Sequence, residues 1–411
     1  MSDDNNVSVK KQDIHDDNQH VPELRFSEFK NNYISVYLKD ISSKVRDKNK
    51  NNKIQDVLSN SAKYGIIHQK EFFDRNITNK NNIDGYYIVD KGDFVYNPRI
   101  SKNAPVGPIN QNLTGIKGIV SPLYTVFRIN NDINSKYIKY YFLTTKWHKY
   151  IKSVANYGAR FDRINITQKD LFNLPLKLPS SNEQKKVANF MELIDQKIEY
   201  LEKKYRNQIK FSKELRNKFL NKHCFFNDNW VEHDIKEYVV EYKEKVNFNN
   251  NLPILSSTLS GIYLQEDYFN KNVNSSDVSN YKIVPKNYFT YRSMSDTGKF
   301  KFNIQNIVEK GIISPAYPVF TTKNINDKYV YEFLNYSNSI KRQILKIKEG
   351  GTRYALGFSK FKKLKIEVPS FKTQCKITES MNLCYQREEN LKKEIKIMKK
   401  FKKGLLQKMF I

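Results

Sequence analysis

A helical seam repeated at a fixed offset constrains this chain more than any other feature. Between Ser180 and Lys222, residues Val187, Met191, Ile194, Ile198, Leu201, Tyr205, Leu215 and Phe219 fall at alternating three- and four-residue steps. That is the spacing of a helix packed along one stripe against another helix. Only Gln208 and Ser212 interrupt it. Moving every position by 190 residues lands on Ile377, Met381, Cys384, Glu388, Leu391, Ile395, Leu405 and Met409, with Met398 and Lys402 opposite the interruptions. A long helix has been duplicated. Ser180 with Glu183, and Ser181 with Gln184, have the spacing of capping boxes at the start of the first copy. Pro175 and Pro179 before it, and Pro369 before the second, keep either helix from extending backwards. About forty residues at a rise of about 1.5 Å make a rod of roughly 60 Å. Such a rod cannot bury its own seam, so each copy needs a partner helix, and the other copy is the nearest candidate.

The segments between the helices repeat as well. Tyr33, Leu38 and Ile41 are matched by Trp230, Ile235 and Tyr238, and Val57-Leu58-Ser59 by Ile254-Leu255-Ser256. The alternation in Tyr86–Tyr96 and in its echo Tyr281–Tyr291 predicts a strand, a turn and a second strand. Gly118-Ile119-Val120-Ser121-Pro122 returns as Gly311-Ile312-Ile313-Ser314-Pro315, followed in each copy by a helix-like aromatic segment, near Tyr137–Ile151 and Tyr329–Ile347. Gly158-Ala159-Arg160 then pairs with Gly351-Thr352-Arg353. The layout is a disordered acidic tail (1–20), a head (21–179), a helix (180–223), a second head (224–369) and a second helix (370–411). The fold class is α/β (α+β), two mixed, strand-rich heads with an internal pseudo-twofold repeat. If the helices run antiparallel, the heads lie at opposite ends.

At 411 residues, with 39% hydrophobic and 13% aromatic content, the chain can build two full cores. Its 71 Lys plus Arg against 43 Asp plus Glu leave a net charge of +28, which points to a polyanion as partner. No apolar run approaches the roughly 18 residues of a spanning helix, and no signal peptide opens the chain, so the expected location is the cytoplasm, without a membrane. Cys224, Cys375 and Cys384 form no CxxC pair and the six histidines are scattered, so no metal site is expected.

Catalytic constellations are hard to find. Asn97-Pro98-Arg99 lacks the second proline and the aromatic of an adenine-methyltransferase base clamp. There is no G-x-x-x-x-G-K-[ST] phosphate loop, and Glu241-Tyr242-Lys243 is an isolated nuclease-like fragment in a lysine-rich chain. The chain therefore reads as a binder of duplex DNA rather than an enzyme. The alternatives are a self-sufficient methyltransferase or nuclease, or a coiled-coil scaffold whose charge is incidental. Candidate DNA contacts in the first head are Ser59, Lys63, Tyr64, Asn97, Arg99, Ser101, Lys102, Asn103, Arg160 and Arg163. In the second they are Ser256, Ser257, Thr258, Arg292, Ser295, Asp296, Lys299 and Arg353. Arg can bridge guanine O6 and N7, Asn adenine N6 and N7, and Lys mostly holds phosphate.

This combination resembles the specificity subunit of type I restriction-modification systems. The residues that carry it are Leu-Ser, then Gly65-Ile66 or Gly261-Ile262, the Gly-Ile-Val/Ile-Ser-Pro runs, Gly-x-Arg, and Leu-Pro-x-x-x-Glu183-Gln184 opening a long helix. The resemblance spans everything after the tail. It implies two target-recognition domains, each reading half of a split site, and two spacer helices forming an antiparallel coiled coil. It also implies two modification subunits that use S-adenosylmethionine, and restriction or translocase subunits that use ATP and magnesium, with no cofactor in this chain. The second helix departs from the pattern with Thr373-Gln374 and places Glu388 and Lys402 in its seam, which predicts looser packing than in the first.

Overall fold

The computed structural model describes residues 21–72, 83–156, 162–221, 225–246, 251–268, 278–346 and 353–411. The predicted tail, Cys224, and the pair Gly158–Arg160 with Gly351 lie outside them. The chain forms two units, Met1–Tyr200 with Glu394–Ile411, and Leu201–Lys393. Each long helix, Ser181–Asn221 and Phe371–Lys408, gives one half to each unit.

In the first unit an antiparallel four-stranded sheet runs in the order Ser42–Lys44, Thr125–Ile129, Phe94–Tyr96, Ile109–Gln111. A hairpin, Leu58–Ser61 with Gly65–His68, and a ladder, Tyr87–Val89 with Gly118–Val120, accompany it. Ile34–Tyr37 pairs with Pro175–Leu178, the segment that leads into the first long helix. The predicted strand-turn-strand of Tyr86–Tyr96 is present, but its two strands join different sheets. Phe94 stacks on Phe127 at 5.5 Å, and the helix Ser135–Phe142 covers them with buried Tyr137, Tyr140 and Tyr141.

The second unit repeats this plan. Its sheet order is Val239–Glu241, Val319–Thr322, Phe289–Thr290, Asn303–Ile304, and Phe289 stacks on Phe320 at 4.9 Å. The aromatic segments predicted as single helices are each two: Ser135–Phe142 and His148–Val154, then Asp327–Tyr336 and Asn338–Leu345. Ser337 makes the second break by leaving the helical conformation and capping the next helix with its side chain. Gly118, the first residue of Gly118–Val120, and Gly311, the second of Lys310–Ile313, are glycine for a steric reason: a Cβ would lie 2.7 Å from Leu58 Cδ1 at the first and 2.5 Å from Leu255 Cδ1 at the second.

Within each unit the long helices pack antiparallel. In the first, Val187 and Met191 share a core with Leu405 and Met409, with Ile194 packed against it. Asp195 there meets Lys402 at 2.5 Å and Lys197 meets Glu394 at 3.8 Å. In the second, Phe219 shares a core with Ile377, Met381 and Cys384, and Leu215 packs against it. Leu201, Ile198 and Leu391 are buried, while Ile395 and Met398 are half-buried. The polar positions that predicted looser packing find polar partners. Ser212 donates to Glu388 at 2.5 Å, and the Lys402 ammonium lies 5.8 Å from the Tyr140 ring besides its carboxylate.

The helix starts differ from the predicted capping boxes. Ser180 Oγ accepts the Glu183 N–H at 3.4 Å, but the Glu183 carboxylate does not return to the cap, because Arg25 takes it with two hydrogen bonds and Tyr33 with a third. Gln184 instead donates to Pro179 O and accepts from Asn134 N, and Gln374 repeats both bonds with Pro369 O and Asn326 N. The recurring glutamine thus ties each long helix to the N-cap of the aromatic helix beside it.

Candidate nucleic-acid interface

Strand alternation decides which hairpin side chains face outward. In the first unit Leu58 and Asn60 point inward while Ser59 is half-buried, and the turn exposes Lys63 and Tyr64, the ammonium lying 4.7 Å from the ring centre. Asn60 anchors the hairpin to the sheet. Its amide donates to Val95 O at 2.6 Å and accepts from Asn110 at 2.7 Å. In the second unit Ser257 takes that place, accepting from Asn303 at 2.9 Å.

The structure removes two candidates from the surface. Asn97 is 8% exposed, donates to Asn60 O at 3.0 Å and accepts from the Arg99 N–H at 3.0 Å. Ser257 is 3% exposed, with its hydroxyl between Thr290 O and Asn303. Both hold the loops that carry exposed groups, because inward strand positions beside a polar backbone need hydrogen-bond partners. Neither side chain is free to meet a base.

In each unit two of the candidate loops pair. In the first unit the backbone of Pro98–Ile100 bonds to Asp162–Ile164, bringing Arg99 opposite Arg163. Both reach Asp162, at 3.6 and 3.8 Å. Ser101 closes a turn with Ala104, and Lys102 and Asn103 stand exposed at its tip. The second unit repeats the arrangement. Met294–Ser295 pairs with Tyr354–Ala355, and Arg353 meets Asp296 at 2.9 Å. All these ion pairs lie at the surface, where a pair contributes about 0 to 1 kcal/mol, so a phosphate or base edge can displace the carboxylate. Arg160 lies outside the described residues.

In the second unit the hairpin, the Arg292–Lys301 loop and Tyr317 enclose an open cleft of about 640 Å³. Ser256, Thr258, Arg292, Ser295, Asp296 and Lys299, all candidates from the sequence, line it together with the buried Ser257. Lys301 also lines it, although nothing in its local sequence marks it as a donor on its own. Its ammonium donates to Tyr331 Oη at 2.9 Å and Tyr336 Oη at 3.3 Å. Burial pulls that ammonium down, but the two tyrosine hydroxyls outweigh it and hold Lys301 above the usual lysine range. The available signal was the interleaving Lys299-Phe300-Lys301-Phe302, in which cations and aromatics alternate. The cleft offers cations, hydroxyls and the Phe300 and Tyr317 rings, a donor set for the phosphates and base edges of nucleic acid. Among the described residues no cluster of His, Cys, Asp and Glu could hold a metal, and no helix is long and apolar enough to cross a membrane.

The comparisons agree with this geometry. The family model described as "Type I restriction modification DNA specificity domain" matches twice, at residues 29–210 and 227–397. A solved type I restriction-modification S subunit from M. genitalium is 14% identical and covers 95% of this chain and 99% of its own, with a TM-score of 0.50. An HsdS subunit from Thermoanaerobacter tengcongensis is 12% identical, covers 93% and 97%, and also has a TM-score of 0.50. A third chain, from a structural study of complex assembly and conformational transition in the type I R-M system, is 11% identical. It covers 93% and 98%, with a TM-score of 0.53. At these identities the solved structures speak to the fold alone. No curated protein matches.

Proposed function

The chain belongs to the family of the type I restriction-modification DNA specificity domain, and from that premise we propose that each unit reads one half of a bipartite duplex site for a complex whose chemistry resides in other subunits. The observation that carries this reading is the cleft of the second unit, on which separate loops bring Arg292, Lys299 and the Ser256–Thr258 hydroxyls together. The first unit repeats the loop pairing with Arg99 and Arg163. The chain itself performs no catalysis and needs no cofactor, its partners supply the S-adenosylmethionine, ATP and magnesium chemistry, and it acts in the cytoplasm.

Two further roles belong to the long helices. Their faces expose Leu193, Tyr200, Leu383, Ile397 and Phe401. Large apolar side chains left exposed on a helix favour docking of another protein, and two modification subunits are the proposed occupants, with restriction subunits joining the assembly. The helices also set the unread gap between half-sites. Removing one heptad from each, Tyr205–Phe211 and Arg387–Lys393, shortens each by about 10.5 Å, about three base pairs of duplex.

Exchange of residues 21–179 for the corresponding segment of a relative, followed by genome-wide mapping of methylated adenines, tests the central claim. One half of the recognised site should change and the other persist. A simultaneous change in both halves would show that the units do not read independently.

A further inference from the structure

Beside the reading cleft the second unit holds a second, more basic concavity. It has a volume of about 460 Å³ and is lined by Lys210, Lys213, Arg216 and Asn217 of the first long helix together with Asn338 and Lys341. Glu214 is the one carboxylate on its lining, 4.0 Å from Lys210. The Arg216 charge is already met by Glu332 at 2.9 Å, which leaves three exposed lysines against one carboxylate. Sequence periodicity assigns Lys210 and Lys213 only to the solvent side of a helix.

We propose that this cleft binds the sugar-phosphate backbone of the duplex, at a point the protein does not read. The inference rests on the proposed DNA-recognition role and adds a sequence-independent contact to it. Its donors are lysine ammoniums and the amides of Asn217 and Asn338, the groups that phosphate oxygens accept from. A protein partner would need an apolar anchor. The only large apolar surface on the lining, the Tyr336 ring, is covered by the Arg216 guanidinium at 3.8 Å.

Two independent observations favour nucleic acid. Tyr336, which lines this cleft, accepts the hydrogen bond of Lys301, which lines the reading cleft. A hydrogen bond between their linings therefore links the two concavities, which puts the second within reach of a duplex that extends past the first. The internal repeat also preserves the lysines. Lys400 and Lys403 occupy on the second long helix the positions of Lys210 and Lys213 on the first, and both are exposed. Lys149 is exposed on His148–Val154, the helix that corresponds to Asn338–Leu345. Around them Glu214, Arg216 and Asn217 have become Gly404, Leu406 and Gln407. The three lysines persist, whereas Arg216, which is already paired with Glu332, and the other neighbours do not.

The experiment uses the full chain assembled with two modification subunits and two labelled duplexes of equal length, one carrying the recognised site and one scrambled. Binding is measured across a salt series. The triple variant Lys210→Ala/Lys213→Ala/Lys341→Ala should bind both duplexes more weakly by the same factor, with an unchanged specific-to-scrambled ratio. The slope of log K against log salt should become shallower by about 1 to 2, at about 0.9 for each phosphate that the protein no longer neutralises. Glu214→Gln should tighten binding to both duplexes. Because these side chains lie at the surface, the melting temperature serves as the folding control. An unchanged slope in the triple variant overturns the proposal. Unchanged DNA binding with loss of a modification subunit also overturns it, and assigns the cleft to an acidic protein surface. If the unaltered complex does not prefer its site over the scrambled duplex, the sequence-reading role fails, whereas the slope comparison still reports on the cleft.

Discussion

Replacing Glu332 with alanine should unfold the second unit selectively, because it strands a buried guanidinium. Glu332 is 3% exposed and Arg216 13%. Arg216 Nε donates to Glu332 at 2.9 Å, its Nη2 donates to Tyr385 Oη at 2.8 Å, and Tyr385 Oη donates back to Glu332 at 2.5 Å. Removing one member of such a buried pair costs about 3 to 5 kcal/mol, since the remaining charge keeps its desolvation penalty without compensation. Arg216→Met should cost less. Burial already raises the Glu332 carboxyl above its ordinary range, against the opposing pull of Arg216 and Tyr385, so without the guanidinium it can take up a proton and become neutral. The double variant Arg216→Met/Glu332→Met should return to within about 2 kcal/mol of the parent, because both desolvation costs disappear together. Denaturant unfolding followed by fluorescence measures this. The chain has two tryptophans, Trp147 in the first unit and Trp230 in the second. Two units need not unfold as one transition, so Trp230→Phe identifies the second unit's transition, which alone should move. A loss below about 1 kcal/mol for Glu332→Ala, or strict additivity of the two single changes, would refute the reasoning.

Three other outcomes are expected. Arg353→Ala should weaken recognition of one half-site by about 1 to 3 kcal/mol if its guanidinium leaves Asp296 for a base, as read by methylation of sites mutated in either half; equal loss on all sequences would assign it to phosphate. Gly311→Ala should destabilise the second unit by about 1 to 3 kcal/mol in denaturant unfolding, since the new methyl collides with the buried Leu255 side chain. Asp234 is held down to about 2 by Lys236 and then Lys365, so it adds stability above the ordinary aspartate range that is lost as pH falls through about 2. Asp234→Asn should flatten the acid side of the second unit's stability profile, and an unchanged profile there would remove the ion pairs from the account.

Much of this architecture follows from sequence because its signals are local or periodic. A three- and four-residue apolar rhythm allows only a helix with a partner, and a rhythm that recurs with its flanking prolines demands two. The recurring Gly118 and Gly311 mark places where a buried leucine, Leu58 or Leu255, packs too close for a Cβ. Loop residues such as Arg99, Lys299 and Arg353 were legible as surface donors for the same reason, since a cation between strands stays in water unless folding supplies it a partner.

Tertiary structure decided how side chains distant in sequence share one another's hydrogen bonds. Asn97 looks like a reader in sequence, yet it turns inward as Asn60 does, because a sheet packing over a hairpin leaves backbone carbonyls that only an inward amide can satisfy. Glu183 has the spacing of a capping residue, but folding brings it to Arg25 from 158 positions away, and a charged partner outcompetes the local cap. Lys301 is one lysine among many until Tyr331 and Tyr336 are folded around its ammonium. Periodicity determines which face of an element is buried. Which polar groups meet on that face depends on contacts between segments far apart in the chain, and burial makes those contacts obligatory, because a polar group taken out of water must find its partner inside the protein.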